Sequence, residues 1–302
     1  MTRLPDREVE LLETVPAVAP LLTRSLAAGV VRKVTGRKPT GLPGRQVRVH
    51  DVTQDVARLA QYDRVCGFSV RDTVPATWLH VLTFPLQMQL LSADDSPFSL
   101  AGLVHVTNSM TLLRPVAVGE KLALAVSYGQ PREHRRGVLL DLVGEAYVGD
   151  DLVWRGSSAY LARGGKLPDM LPGRGNVDLP DDFEETPADS VWRLPANLGR
   201  TYASVSGDVN PIHLNPLAAK AFGFPKAIIH GMWTHARVLA ALENRLSEAY
   251  RMDVRFTKPI LLPSSVRFGA SVSRDGFDAV VRNRAGDKTH LTARIIRADR
   301  SR

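Results

Sequence analysis

The chain of 302 residues contains a single cysteine, Cys66. With no second thiol, an intrachain disulfide framework is excluded. A structural zinc site built on several thiolates is excluded for the same reason. Disulfides therefore do not constrain the compartment, and a reducing cytoplasm is the default. Lysine is scarce as well: it supplies 8 of the 39 basic residues, so arginine carries most of the net charge of +8. Such a charge suits nucleic acid, an anionic membrane face or an anionic small molecule. The arginines are scattered, however, and no long basic run occurs. The densest stretch, Arg132-Glu133-His134-Arg135-Arg136 between Pro131 and Gly137, reads as a solvated turn between strands. Nucleic-acid binding is not expected.

Long apolar runs are also missing. Two windows lack charge, but Thr73 to Ala93 contains Pro75, His80, Pro85, Gln87 and Gln89, and Ser96 to Leu113 contains His105, Thr107 and Asn108. Neither is apolar enough to span a bilayer, and both read as buried core segments. The first ten residues lack the apolar stretch of a signal peptide. The expectation is a soluble, cytoplasmic protein with no membrane insertion. What the sequence does hold is 44% hydrophobic residues. That is enough for a substantial core, and the length suggests two domains.

Val9, Leu11, Leu12 and Val15 have helical spacing, interrupted by Pro16 and Pro20. A Gly/Pro-rich break runs from Gly36 to Gly44. Gln46 to Val52 alternates like a strand, and Thr53 looks like the N-cap of a helix reaching about Tyr62. Leu122 to Ser127, Val138 to Val143 and Leu152 to Leu161 read as strands. Residues 166–188 have the Gly/Pro composition of a linker and include the acidic patch from Asp181 to Glu185. The chain thus divides into an N-terminal domain over 1–165 and a C-terminal domain over 189–302. In the latter, a short strand at Ser190 to Leu194 precedes a long helix from about Gly231 to Tyr250. Strands follow at Asp253 to Lys258, Ser265 to Ser273, Phe277 to Arg282 and Thr289 to Ile296. In the second of these, Val266, Phe268, Ala270 and Val272 alternate with Arg267, Gly269, Ser271 and Ser273. That is the pattern of a half-buried antiparallel strand. The class is α+β.

The two parts share anchors in the same order. Tyr62, Val65 and Gly67 match Tyr202, Val205 and Gly207. Pro75 with His80 matches Pro225 with His230. Arg114-Pro115 matches Lys258-Pro259, and Gly149-Asp150 matches Gly286-Asp287. One fold used twice explains the series. The match fails at one place: a polar loop with Asp208, Asn210 and His213 follows Gly207, whereas Phe68 follows Gly67. If that loop carries chemistry, only the C-terminal half is an active centre.

Asp208 and His213 flank a turn nucleated by Asn210-Pro211, which can aim both side chains at one point. A carboxylate and an imidazole aimed at one water can hold and activate it. Gly231 has no Cβ, so a substrate can approach its backbone closely. At a helix N-terminus its N–H could hold the oxygen of a polarised carbonyl. Singly, each residue has a plainer reading: Asp208 or Asn210 as helix caps, His213 as a core histidine. Together they outweigh it.

Tyr202-x4-Gly207-Asp208-x-Asn210-Pro211-x-His213, followed by Phe222-Gly223-x-Pro225-x4-His230-Gly231-Met232, resembles the motif of the MaoC-like, (R)-specific enoyl-thioester hydratases. The whole chain is similar to the double-hotdog 3-hydroxyacyl-thioester dehydratases of that family. The resemblance implies two antiparallel sheets, each wrapped around a long helix and paired as an intrachain pseudo-dimer. It implies reversible hydration of trans-2-enoyl thioesters, with Asp208 and His213 holding the water and the Gly231 N–H stabilising the enolate-like oxygen. Asn210, Tyr202 and His230 would help bind substrate. No metal and no cofactor are implied. The substrate carrier would be coenzyme A or acyl carrier protein, and a homodimer is left open. The basic charge suits either carrier, with Arg200, Lys220 and Lys226 near the motif. Leu239 stands where some members place a helix hydroxyl, which puts that auxiliary role in doubt. The N-terminal half, lacking the loop and containing Pro85 in its helix, would receive the acyl tail. Alternatives are an acyl-CoA thioesterase and a non-catalytic acyl-thioester-binding hotdog subunit.

Overall fold

A computed structural model describes residues 8–25, 41–172 and 186–298. Residues 36–40 of the first Gly/Pro-rich break, and the acidic patch with most of the expected linker, lie outside the described residues. The N-terminal half holds β1 (Val9–Leu12), β2 (Gln46–Val52), α1 (Val56–Cys66) and α2 (Ala76–Ser92). It continues with β3 (Leu103–Leu112), β4 (Leu122–Tyr128), β5 (Arg132–His134), β6 (Gly137–Val148) and β7 (Asp151–Arg163). The C-terminal half opens with β8 (Ser190–Leu194), α3 (Leu198–Ser206), α4 (Pro211–Leu214), α5 (Pro216–Ala221) and α6 (Gly231–Leu242). It closes with β9 (Tyr250–Phe256), β10 (Ser264–Ser273), β11 (Gly276–Asn283) and β12 (Thr289–Arg297).

The strands form one sheet in the order β1-β2-β4-β6-β7-β3-β9-β12-β11-β10-β8, with β5 pairing on β6. Read from each end, the order repeats: β2-β4-β6-β7-β3 mirrors β8-β10-β11-β12-β9. The halves join where β3 pairs antiparallel with β9, from Thr107 opposite Arg255 to Leu112 opposite Tyr250. One continuous core runs through both halves and takes in Trp78 and Leu86 of α2, Trp233 and Leu239 of α6, and Met110 and Met252 at the joint. The expected duplication is thus seen in the topology, and the fold is an α+β double hotdog. Among the described residues, no helix is long and apolar enough to cross a membrane.

Local chemistry explains the element ends. Asp55, rather than Thr53, caps α1, its carboxylate accepting from Arg58 N–H at 3.0 Å. α1 stops at Gly67 and α3 at Gly207, both left-handed, with φ of 83° and 79°. A left-handed residue after the last turn is the ordinary glycine C-terminal cap. Helix α2 is buried on nearly every side, which explains why its sequence shows no polar face. Pro85 lies inside it without ending it.

Three further expectations change. Val9 to Val15 do not form a helix: Val9–Leu12 is a strand, parallel to β2. Its residues are exposed or half-buried, so edge pairing outweighed local periodicity. Helix α6 ends at Leu242, not near Tyr250; a 3-10 turn over Glu243–Arg245 follows, and Tyr250 already pairs in β9. The apolar spacing continued past the helix because Leu246 packs on the same core from a non-helical segment. In β10 the alternation holds at Val266 and Phe268, but Val272 is 76% exposed near the strand end.

Candidate active site

The polar loop starts at the left-handed Gly207. Asp208 N–H donates to Ser206 Oγ at 3.2 Å, and Asp208 Oδ1 accepts from Asn210 N–H at 3.2 Å. Asn210 then caps α4: its Oδ1 accepts from Ile212 N–H at 3.4 Å, with Pro211 at the first helical position. The single turn of α4 brings His213 back towards Asp208. Two features of α3 hold this turn. Arg200 Nη1 donates to the Leu214 carbonyl at 3.1 Å. Gly199 lies against the His213 backbone, where a Cβ would collide with the His213 carbonyl.

His213 Nδ1 lies 2.8 Å from the Ile228 carbonyl. A carbonyl only accepts, so Nδ1 carries the proton and Nε2 is left bare as a base. Burial lowers the His213 pKa, opposed by the Asp208 charge and by the bond to Ile228. His230 stacks on His213 with ring centroids 3.7 Å apart. Its Nε2–H donates to the Asp208 carbonyl at 2.9 Å. Burial, and then the neighbouring His213, hold the His230 pKa well below its ordinary value. The 3.8 Å approach of His230 Nε2 to Asp208 Oδ2 is therefore a contact with a neutral ring and not an ion pair.

One donor atom from each of Asp208, His213 and His230 lies within 4.8 Å of the others. A water making two hydrogen bonds of about 2.8 Å bridges such a gap. The spacing would also admit a divalent cation. The donor chemistry favours water, because His230 already spends its Nε2–H on the loop backbone.

His230 is also the N-cap residue of α6, and Gly231 is its first residue. The Gly231 N–H therefore has no acceptor within the helix. A Cβ on Gly231 would lie 3.0 Å from the Phe256 ring. Both residues line a cavity of about 630 Å³ that also takes in Asp208, Asn210, His213, His230 and Tyr202. The cavity crosses the joint between halves. Its far wall comes from the N-terminal half, through Val81, Phe84 and Met88 of α2 and Leu103 at the start of β3.

All six candidate residues from the sequence thus meet at one place. Tyr202 is almost fully buried, wedged between Tyr62 and His230 at ring separations of 6.2 and 4.9 Å. Of the basic candidates, Arg200 caps α4, while Lys220 and Lys226 do not line the cavity; Lys258 does. Leu239 is buried in the core.

Sequence reasoning missed His80 and Tyr160, which face the site from the N-terminal half. Burial lowers the His80 pKa to about 4, opposed by the charge of Asp208. Burial and the same carboxylate push the Tyr160 hydroxyl up. The Pro-x4-His match pointed at His80 but paired it with the wrong partner. Counted from the helix starts, Pro75 stands at the place of His230, Ala76 at Gly231, Trp78 at Trp233, and His80 at His235.

Residues 189–293 match the MaoC-like domain family. The chain is 40% identical over 254 residues to 3-hydroxyacyl-thioester dehydratase X of Mycobacterium tuberculosis, covering 84% of this chain and 90% of that one. It resembles the crystal structure of HtdX from the same organism, with a TM-score of 0.74 and 38% identity over 84% of this chain and all of that one. A further M. tuberculosis structure, described as a double hotdog fold, matches 82% of this chain and 93% of its own at TM-score 0.52 and 14% identity. That last likeness speaks to the fold alone.

Proposed function

The chain belongs to the MaoC-like family of 3-hydroxyacyl-thioester dehydratases, and from that premise we propose how its site works and on what. It is a hydro-lyase that interconverts 3-hydroxyacyl and trans-2-enoyl thioesters in fatty-acid metabolism. The observation that carries the residue assignment is the convergence of a carboxylate and a bare imidazole nitrogen within reach of one water.

In the hydration direction, Asp208 and His213 hold a water over C3 of the enoyl thioester. His213 Nε2 is the acceptor for its proton, and Asp208 orients the second O–H. The hydroxyl adds to C3, and a proton is delivered to C2 on the same face. The product is the (R)-3-hydroxyacyl thioester. Negative charge accumulates on the thioester oxygen as C3 is attacked. The Gly231 N–H, at the positive end of α6, is placed to receive it. Asn210 and His230 hold the loop, and Tyr202 packs behind His230. The N-terminal half takes the acyl tail in the cavity wall between α2 and β3.

The chain divides into an N-terminal hotdog over 1–165, a linker over 166–188 and the catalytic hotdog over 189–302. Its substrate carrier is coenzyme A or acyl carrier protein, its setting cytoplasmic, with a homodimer as a further level of assembly. The test is hydration of trans-2-enoyl-CoA esters from C4 to C16, followed by loss of enoyl-thioester absorbance with chiral analysis of the product. (R)-3-hydroxyacyl product that collapses in Asp208→Asn and His213→Ala supports the reading. Release of free thiol would establish a thioesterase instead.

A further inference from the structure

The arginine-rich turn lies beside a second cavity. This pocket of about 250 Å³ is lined by Arg135 and Arg136 from the β5–β6 hairpin and by Arg255 from β9, among others. It straddles the joint between halves. None of the three guanidinium groups has an ion-pair or hydrogen-bond partner among the described residues. Among the described residues, no carboxylate lines the pocket. On the same hairpin, Arg132 grips Asp141 through two bonds of 2.9 and 2.7 Å.

The hairpin is also held in place. Arg136 N–H donates to His134 Nδ1 at 3.1 Å, and the Arg136 carbonyl accepts from Gly164 N–H at 2.8 Å. Glu133 N–H donates to the Leu171 carbonyl at 3.0 Å. Three like charges on an anchored frame repel one another unless an anion sits among them.

The pocket adjoins the active-site cavity. Phe256 and Thr257 line both, and Phe256 is the residue packed against Gly231. Lys258 follows and lines the larger cavity. We propose that Arg135, Arg136 and Arg255 bind phosphate of the thioester's phosphopantetheine carrier, whose arm passes Thr257 into the catalytic cavity. Arginine suits this role, since its planar fork matches phosphate oxygens in pairs. The site deepens the dehydratase reading and rests on it for the identity of the arm.

Coenzyme A and acyl carrier protein share the phosphopantetheine phosphate, and the experiment separates them. Arg135→Gln, Arg136→Gln, Arg255→Gln and the triple variant are assayed with trans-2-enoyl-CoA, trans-2-enoyl carrier protein and the phosphate-free trans-2-enoyl-pantetheine. The ratio of kcat/KM for the CoA ester to that for the pantetheine ester is expected to fall at least about tenfold in the triple variant. The loss should lie in KM, and raised salt should reproduce it in the wild type. Calorimetric titration with coenzyme A, phosphopantetheine and pantetheine gives a readout without turnover. Affinity lost for coenzyme A and phosphopantetheine alike assigns the arm phosphate, common to both carriers. Affinity lost for coenzyme A alone assigns the nucleotide phosphates. An unchanged ratio with unchanged affinities overturns the proposal, as does an equal fall on both esters. Arginine-dependent binding of coenzyme A by a protein inactive on every enoyl thioester would instead sink the dehydratase reading alone.

Discussion

The two halves share a strand order, a glycine-capped helix and a buried central helix, yet only one carries the polar loop. After Gly207 the chain turns into Asp208 and the one-turn helix carrying His213. After Gly67 it continues into Phe68, which is buried against Tyr62 at a ring separation of 6.3 Å. At the starts of the central helices, His230-Gly231 in one half stands where Pro75-Ala76 stands in the other. The N-terminal half therefore lacks the carboxylate, the imidazole, the supporting histidine and the open backbone donor. It keeps a larger buried helix, and its side of the cavity is mostly apolar. Of the two like frames, one supplies the polar loop and the other a mostly apolar wall of the cavity.

The most severe way to break the comparison is to make the halves equal in their lack of chemistry. Asp208→Asn or His213→Ala should lower kcat by about 10²- to 10⁴-fold, the usual worth of positioned acid–base groups. Phe68→Asp in the Asp208→Asn background should restore nothing, because a carboxylate without the α4 turn has no imidazole beside it. Steady-state hydration rates check both.

A second test concerns what the halves share. Burial lowers the pKa of His80 to about 4 and those of His105 and His235 to about 3; it also lowers those of His213 and His230. The unfolded chain binds these protons more tightly than the folded one. Stability is therefore full above about pH 6.5 and declines as pH falls towards 3, by up to about 1.4 kcal/mol per pH unit for each histidine. Urea midpoints at pH 7 and pH 5 measure the decline. His80→Gln and His235→Gln, one from each half, should flatten it by similar amounts.

Gly231→Ala copies the N-terminal residue into the catalytic helix. The added methyl would press on the Phe256 ring, at about 1–3 kcal/mol for overpacking. A fall in kcat of about tenfold to a hundredfold is expected, with the fold retained by circular dichroism. The smallest effect distinguishes a matched pair of cations. Arg114 is tied to Glu120 by bonds of 3.1 and 2.9 Å, whereas Lys258 has no ion pair among the described residues and lines the cavity. Arg114→Ala should cost about 0.5–1 kcal/mol of stability and spare KM. Lys258→Ala should raise KM for a CoA ester a few-fold and spare stability.

Much of this was legible along the chain. Strands β2 and β10 follow from alternation, and the observed ends of β2, β8 and β10 to β12 lie within a residue or so of the expected ones. The loop residues are legible because they are local: Asp208, Asn210 and His213 fall within one turn, so spacing alone places them together. The N-terminal strand was not legible, because its partner β2 is remote in sequence and its own pattern is compatible with a helix. His80 and Tyr160 were hidden for a similar reason. They reach the site only because β3 and β9 pair across the joint, and spacing cannot see a contact made between halves.

The sequence by itself determined the fold class, the duplication and the chemistry-bearing loop, since each is encoded in short-range patterns of polarity, glycine and proline. Tertiary structure alone decided three things. It left His213 Nε2 without the proton, through a carbonyl on Ile228, fifteen residues away. It left His230 neutral, through burial and the neighbouring His213. It also set three arginines, unpaired among the described residues, in a pocket that shares Phe256 and Thr257 with the larger cavity, through the joining of β3 to β9. All three depend on desolvation and proximity between distant segments, which exist only once the chain has closed on itself.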